Sequence, residues 1–247
     1  MHRYWDDFLL VLGFFTRLPV GDFSGVWHGR LARGVWAFPV VGLVIGSVGA
    51  AAWGLALWAG LPPLLAAVFV VMAQVLLTGA LHEDGLSDVA DGFGGGRDRA
   101  AKLEIMRDSR VGAYGVLAIV LAVIMRIAAI AELQDVFAAL LAAGAASRAA
   151  IAGLMAILPA ARSDGLGAAT GRPEAGLLLA LAVALLVCLV MLGVGATLIA
   201  ACAAAVGWAA IYGLARWQIG GQTGDVLGAC QQICELAVLV ALVAFGV

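Results

Sequence analysis

The segment LHEDGLSDVADGFGGGRDRAAKLEIMRDSRVGAYG, residues 81–115, interrupts two strongly apolar stretches and carries the densest set of groups able to do chemistry. On a helix Asp84, Asp88 and Asp91 stand at i, i+4 and i+7, which puts three carboxylates on one face. At about 6 Å and an effective dielectric near 20, each pair repels by roughly 3 kcal/mol, so a cation is expected between them. Oxygen-only ligands at a membrane boundary favour Mg²⁺, with Mn²⁺ the other candidate, hard ions that also bridge phosphate oxygens. After the glycine bend at Gly92, Gly94, Gly95 and Gly96, Glu104 and Asp108 repeat the i, i+4 spacing, so two acidic helix faces are expected to converge. The expected metal set is thus Asp84, Asp88, Asp91, Glu104 and Asp108. Arg97, Arg99, Arg107 and Arg110 can neutralise phosphate through paired hydrogen bonds. This combination suits a diphosphate substrate, whereas a merely solvated loop needs no helical spacing of its acids.

A second polar island, RWQIGGQTGDVLGACQQICEL at 216–236, offers Gly220, Gly221 and Gly224 for a tight turn whose N–H groups could cradle an anion, with Thr223 and Asp225 supplying oxygens. The plain alternative is a glycine turn capped by Thr223 and Asp225. Glu235, Arg126 and Arg148 fall inside apolar helices, where ionisable groups face a polar interior, pairing with one another or meeting substrate. His82 is a ligand or a hydrogen-bonding partner of substrate; His2 and His28 carry no pattern. Cys188, Cys202, Cys230 and Cys234 lack metal-ligand spacing and read as small packing residues.

The elements that position these groups are membrane helices. Of 247 residues 64% are hydrophobic and 12% charged, and the mean hydropathy is +1.07, outside the range of soluble domains. The net charge of -2 gives no basic face for nucleic acid. Taking about 20 apolar residues per crossing, spans are expected near 35–59, 62–82, 113–131, 136–158, 174–193, 195–215 and 228–247. The fold expected is an all-α, polytopic bundle of about seven transmembrane helices, one domain over 1–247. Residues 5–15 suit an interfacial or re-entrant helix, and no cleavable signal peptide is read. Twelve of the 14 basic residues precede the first span or lie in loops of the parity of 83–112, including Arg162, Arg172 and Arg216. That bias places this loop and GGQTGD in the cytosol of a bacterial inner membrane. Trp5, Trp27, Trp36 and Trp217 are read as interface anchors, although Trp27 and Trp217 could also serve substrate.

The motifs H-x-D-G-L-x-D-x-x-D-G, E-I-M-R-D-S-R-x-G and G-G-Q-T-G-D-x-L-G-A, with FFTRLPV at 14–20, FPVVGLVIG from Phe38, and Ser147 beside Arg148, resemble the cobalamin synthase family, the adenosylcobinamide-GDP ribazoletransferases. The likeness spans the chain. It implies a Mg²⁺-dependent joining of α-ribazole or its 5′-phosphate to adenosylcobinamide-GDP, with release of GMP and formation of adenosylcobalamin or its phosphate. The pattern departs at Gln232, where the family carries an acid, which argues against a metal role for that helix. A weaker similarity links Asp88-x-x-Asp91-Gly92 to the CDP-alcohol phosphotransferases, without their following Ala-Arg.

On that resemblance, the five acids hold one or two Mg²⁺ on the diphosphate, and the ribazole 5′-hydroxyl attacks the phosphorus nearer cobinamide. The metal and Arg107 or Arg110 stabilise the departing GMP, and Asp108 is the expected base or a metal ligand. Substrate contacts are expected from His82, Arg97, Arg148, Gly221, Thr223, Gly224 and Asp225. A CDP-alcohol phosphotransferase and a cation-coupled transporter are the competing functions; a homo-oligomer is compatible with the sequence.

Overall fold

The computed structural model describes residues 2–21, 30–165, 171–173 and 176–247; Trp27 and His28 lie outside them. Every regular element among these residues is helical. They are α1 (His2–Phe15), α2 (Arg30–Arg33) with a 3-10 turn (Gly34–Ala37), α3 (Phe38–Trp58), α4 (Pro63–Thr78), α5 (Leu81–Gly95) and α6 (Arg99–Ile105). Then come α7 (Ala113–Glu132), α8 (Val136–Ile157), α9 (Leu177–Gln218) and α10 (Gly224–Ala244). The protein is a polytopic helical membrane protein.

Among the described residues five helices are long and apolar enough to cross a bilayer singly, or six crossings result if α4 and α5 form one bent span. The helix count departs from the seven expected spans for two local reasons. Residues 62–82 are not one helix: Gly79 (φ 64) and Ala80 (φ 59) are both left-handed, and α5 leaves α4 at 89°. The acidic segment is therefore a separate helix and not the continuation of a span. The expected spans 174–193 and 195–215 are one run of 42 residues, α9, broken at Gly193 (φ 72, ψ 178). A straight helix of that length would reach about 63 Å, twice the apolar thickness of a bilayer. Instead α9 doubles back. Gly176, before its start, adjoins Val35 and Trp36, and the carbonyl of Ile219, after its end, accepts from Arg99. Those neighbours share one end of the bundle, because α3 and α8 run antiparallel: Gly42 faces Gly144, and Gly46 faces Leu140. Divided at Gly193, α9 supplies the crossing that a single count leaves out.

Gly42 and Gly46 explain the intimacy of the α3–α8 pair. A Cβ at Gly46 would stand 2.6 Å from the carbonyl oxygen of Leu140, so only glycine lets the backbones approach this closely. α8 is the central helix, its alanines at 138, 139, 142, 143, 145, 149 and 152 all buried. Two large apolar clusters divide the bundle along α8 and α10, one around Leu154 and Val226, the other around Leu140 and Leu239. α1, with 14 residues, is too short to cross; it buries Leu10, Val11 and Phe15 while Tyr4 and Trp5 stay exposed.

Candidate active site

Glycines decide what the acids meet. At the crossing of α5 and α10, a Cβ on Gly85 would lie 2.8 Å from the carbonyl oxygen of Asp225 and 3.3 Å from Cα of Gly228. This contact sets Asp84 and Asp88 beside Asp225, although about 140 residues of chain separate them. Asp88 is half-buried and outside the five candidate spans. Its carboxyl is pushed up to about 7, by burial first, then by the charges of Asp225, Asp84 and Asp91, with Arg162 opposing. The Asp225 carboxylate accepts from Thr223 Oγ1 at 3.0 Å and stands 3.5 Å from Arg162 Nη2. Arg162 Nε and Nη1 are buried and donate to nothing among the described residues. A guanidinium with free donors facing a surplus of carboxylates is the arrangement expected of a site that takes an anion together with a cation.

Arg162 escaped the sequence reading except as a marker of topology. It follows α8 in a loop that pairs with GGQTGD: Gln222 N–H donates to the Pro159 carbonyl at 2.8 Å, and Ala161 N–H to the Gln222 carbonyl at 2.8 Å. Gly221 serves this pairing and not an anion cradle, since a Cβ there would stand 2.9 Å from Ala161 N and press on the Pro159 carbonyl. The left-handed turn residue is Gly220 (φ 70). Thr223 caps α10, its hydroxyl accepting from Val226 N–H at 3.3 Å, and Gly224 opens the helix. Asp225 is thus free of capping duty.

Asp91 is placed differently from its neighbours. Its oxygens accept from Gly112 N–H at 2.7 Å and Gly115 N–H at 2.9 Å, capping the start of α7. Glu104 and Asp108 do not form a second helix face, because α6 ends at Ile105. Asp108 is bound by Arg110 at 2.5 Å, which holds its carboxyl low, at about 2. Neither acid is among the charges acting on Asp88. Arg107 pairs with Asp164 at 2.5 Å in an exposed bridge, Arg97 is exposed between α5 and α6, and Arg99 binds the carbonyls of Ile219 and Ala161. The structure therefore gathers Asp84, Asp88, Asp225 and Arg162, and leaves Glu104, Asp108, Arg97, Arg107 and Arg110 apart from them.

Beneath this cluster the bundle interior is ionic. Arg126 reaches Glu83 and Glu235, each at 3.0 Å, and Gln74 at 2.7 Å; Arg148 reaches Glu235 at 2.5 Å. Gln232 donates to Glu83 at 3.1 Å. Arg148 is 2% exposed and engaged with Glu235 and Ser147, a position that supports the helices rather than one open to substrate. Glu83 and Gln74 were not singled out in the sequence, and only their neighbours in space reveal them.

A pocket of about 110 Å³ opens beside Asp84 and Asp225 and is walled by Phe14 and Phe15 of α1, Phe38, Ile151, Met155 and Leu227. His82 lines it, stacked on Phe15 with centroids 5.6 Å apart. Among the described residues no three His, Cys, Asp or Glu side chains enclose an ion by themselves, so the expected five-carboxylate set is not assembled. Mg²⁺ commonly takes one or two carboxylates and completes its shell with substrate phosphate and water. Asp84, Asp88 and Asp225, three acids against one arginine, fit that mode.

Residues 7–243 match the family model described as cobalamin-5-phosphate synthase. The chain is 48% identical over 238 residues to an adenosylcobinamide-GDP ribazoletransferase of Mesorhizobium japonicum, covering 95% of this chain and 91% of that one. It is 44% identical over 243 residues to the enzyme of the same name from Bradyrhizobium diazoefficiens, covering 97% and 94%. No solved structure matches.

Proposed function

The chain belongs to the cobalamin-5-phosphate synthase family, and from that premise we propose that it transfers ribazole, or its 5′-phosphate, to adenosylcobinamide-GDP with release of GMP. The product is adenosylcobalamin or its 5′-phosphate. The observation that carries the reading is the Asp84, Asp88 and Asp225 cluster facing the free donors of Arg162, in a chain similar to ribazoletransferases from end to end.

Because ribazole 5′-phosphate gives a product that keeps its phosphate, the 5′-oxygen expected above as nucleophile is already esterified. A ring hydroxyl of the ribose attacks instead. Its oxygen bonds to the phosphorus joined to cobinamide, the phosphoanhydride bond breaks, and GMP departs with the bridging oxygen. Asp225, oriented by Thr223, takes the hydroxyl proton; Asp108, held at about 2 by Arg110, is too weak a base for that task. Arg162 Nε and Nη1 donate to the diphosphate and to the leaving phosphate. Mg²⁺ held by Asp84 and Asp88 would supply charge neutralisation at the phosphoryl oxygens.

The site end faces the cytosol of the bacterial inner membrane in this reading, where nucleotides reside and where the basic loops belong. A cation-coupled transporter gains nothing from the structure, since the mid-bundle acids Glu83 and Glu235 are already paired with Arg126 and Arg148. The test is purified protein given adenosylcobinamide-GDP, α-ribazole and Mg²⁺, with GMP and corrinoid product followed together. Equal yields of both are expected; no GMP, or CMP release from a CDP-alcohol, would overturn the proposal.

A further inference from the structure

The lining of the pocket beside the acids is of two kinds, and the reaction proposed above has two unlike nucleosides to place. Asp84 and Asp225 are its carboxylates. Most of the rest is apolar and aromatic: Phe15 meets Phe38 edge-on, with centroids 4.9 Å apart, and Ile151 and Met155 also line the pocket. His82 is the exception there. It is 2% exposed, its ring lies 16° from parallel with Phe15, and its Nε2 is buried without a hydrogen-bond partner among the described residues. Buried ring nitrogens are ordinarily satisfied, so this one points to a ligand atom.

Guanine is a poor occupant. Its edge presents a carbonyl, an N–H and an amino group together, and the apolar and aromatic part of the lining offers one imidazole nitrogen to answer all three. Ribazole carries an alkylated benzimidazole, flat and apolar, in which one ring nitrogen is bonded to ribose and the other has only a lone pair. A single N–H donor completes it. We propose that this pocket is the base subsite for ribazole, with the benzimidazole against Phe15 and Phe38 and its free nitrogen accepting from His82 Nε2–H. The ribose then lies toward Asp225, where its hydroxyl meets the proton acceptor and the diphosphate. The assignment rests on the ribazoletransferase reading, and it makes α1 part of the substrate site through Phe14 and Phe15.

Steady-state kinetics with both substrates varied tests it. His82→Ala should raise KM for ribazole at least tenfold, leave KM for adenosylcobinamide-GDP within twofold, and change kcat less than threefold. His82→Gln, which keeps a donor, should recover part of the loss. A rise in KM for the GDP substrate alone, or equal effects on both, would overturn the assignment. If the variants do not fold, the wild-type protein still decides: 5,6-dimethylbenzimidazole should compete with ribazole and not with the GDP substrate, and the opposite pattern or no competition refutes the subsite. Should the protein release no GMP with any substrate pair, equilibrium dialysis with ribazole separates the two failures. Saturable binding lost in His82→Ala would sink the reaction and keep the pocket; no binding would sink both.

Discussion

Replacing Asp88 with asparagine should make the protein more stable at alkaline pH and nearly inactive. The carboxyl stands at about 7 in the fold against an ordinary 3.8. That difference of roughly 3 units corresponds to about 4 kcal/mol for a fully buried group. Asp88 is only half-buried, so solvent screening reduces the figure to about 2 kcal/mol. The sign follows from the raised value: the folded protein holds the proton more tightly than the unfolded chain. The stabilising contribution is complete below about pH 4 and is lost as pH rises through 7. Asparagine, close in shape to the protonated acid, removes that loss. Melting curves of wild type and Asp88→Asn should coincide near pH 4 and separate by pH 8, the variant higher by on the order of 4–8 °C. Mg²⁺ should close the gap by stabilising the wild type alone, while GMP release by the variant falls at least a hundredfold. Parallel pH curves, or equal stabilisation of both proteins by Mg²⁺, would refute the crowded-carboxylate account.

Asp225→Ala should lower GMP release by two to three orders of magnitude in folded protein, whereas Thr223→Ala should cost about 1 kcal/mol as a lost helix cap; turnover per folded molecule, measured beside thermal stability, separates them. Gly221→Val should destabilise by about 3 kcal/mol through collision with Pro159 and Ala161, seen as loss of folded yield in detergent. Glu235→Ala leaves Arg126 and Arg148 without their shared acid and should cost about 3–5 kcal/mol, read as a fall in melting temperature independent of substrate. A cysteine at exposed Ala100 should react with an impermeant thiol reagent only from the cytosolic side; one at buried Ser87 should not react from either side.

Hydropathy was enough to establish a polytopic helical protein, because a bilayer leaves an apolar chain few other ways to satisfy its backbone. The order of motifs was enough to indicate the family, and i, i+4 spacing was enough to put Asp84 and Asp88 on one helix face. Spacing failed where a helix stopped. Asp108 lies beyond the end of α6, and Gly79 with Ala80 turns the acidic helix by 89° from the span before it. Nor could spacing distinguish Asp91, a helix cap, from Asp88, a crowded acid, since both occupy the same face of one helix. Contacts between distant segments were decided by tertiary structure alone. Gly85 admits Asp225 to the acids, the pairing of Gln222 with Pro159 and Ala161 carries Arg162 to the same place, and α9 reverses at Gly193. Each depends on backbones approaching where a side chain is missing, and the partner segment that makes such an absence matter lies far away in sequence.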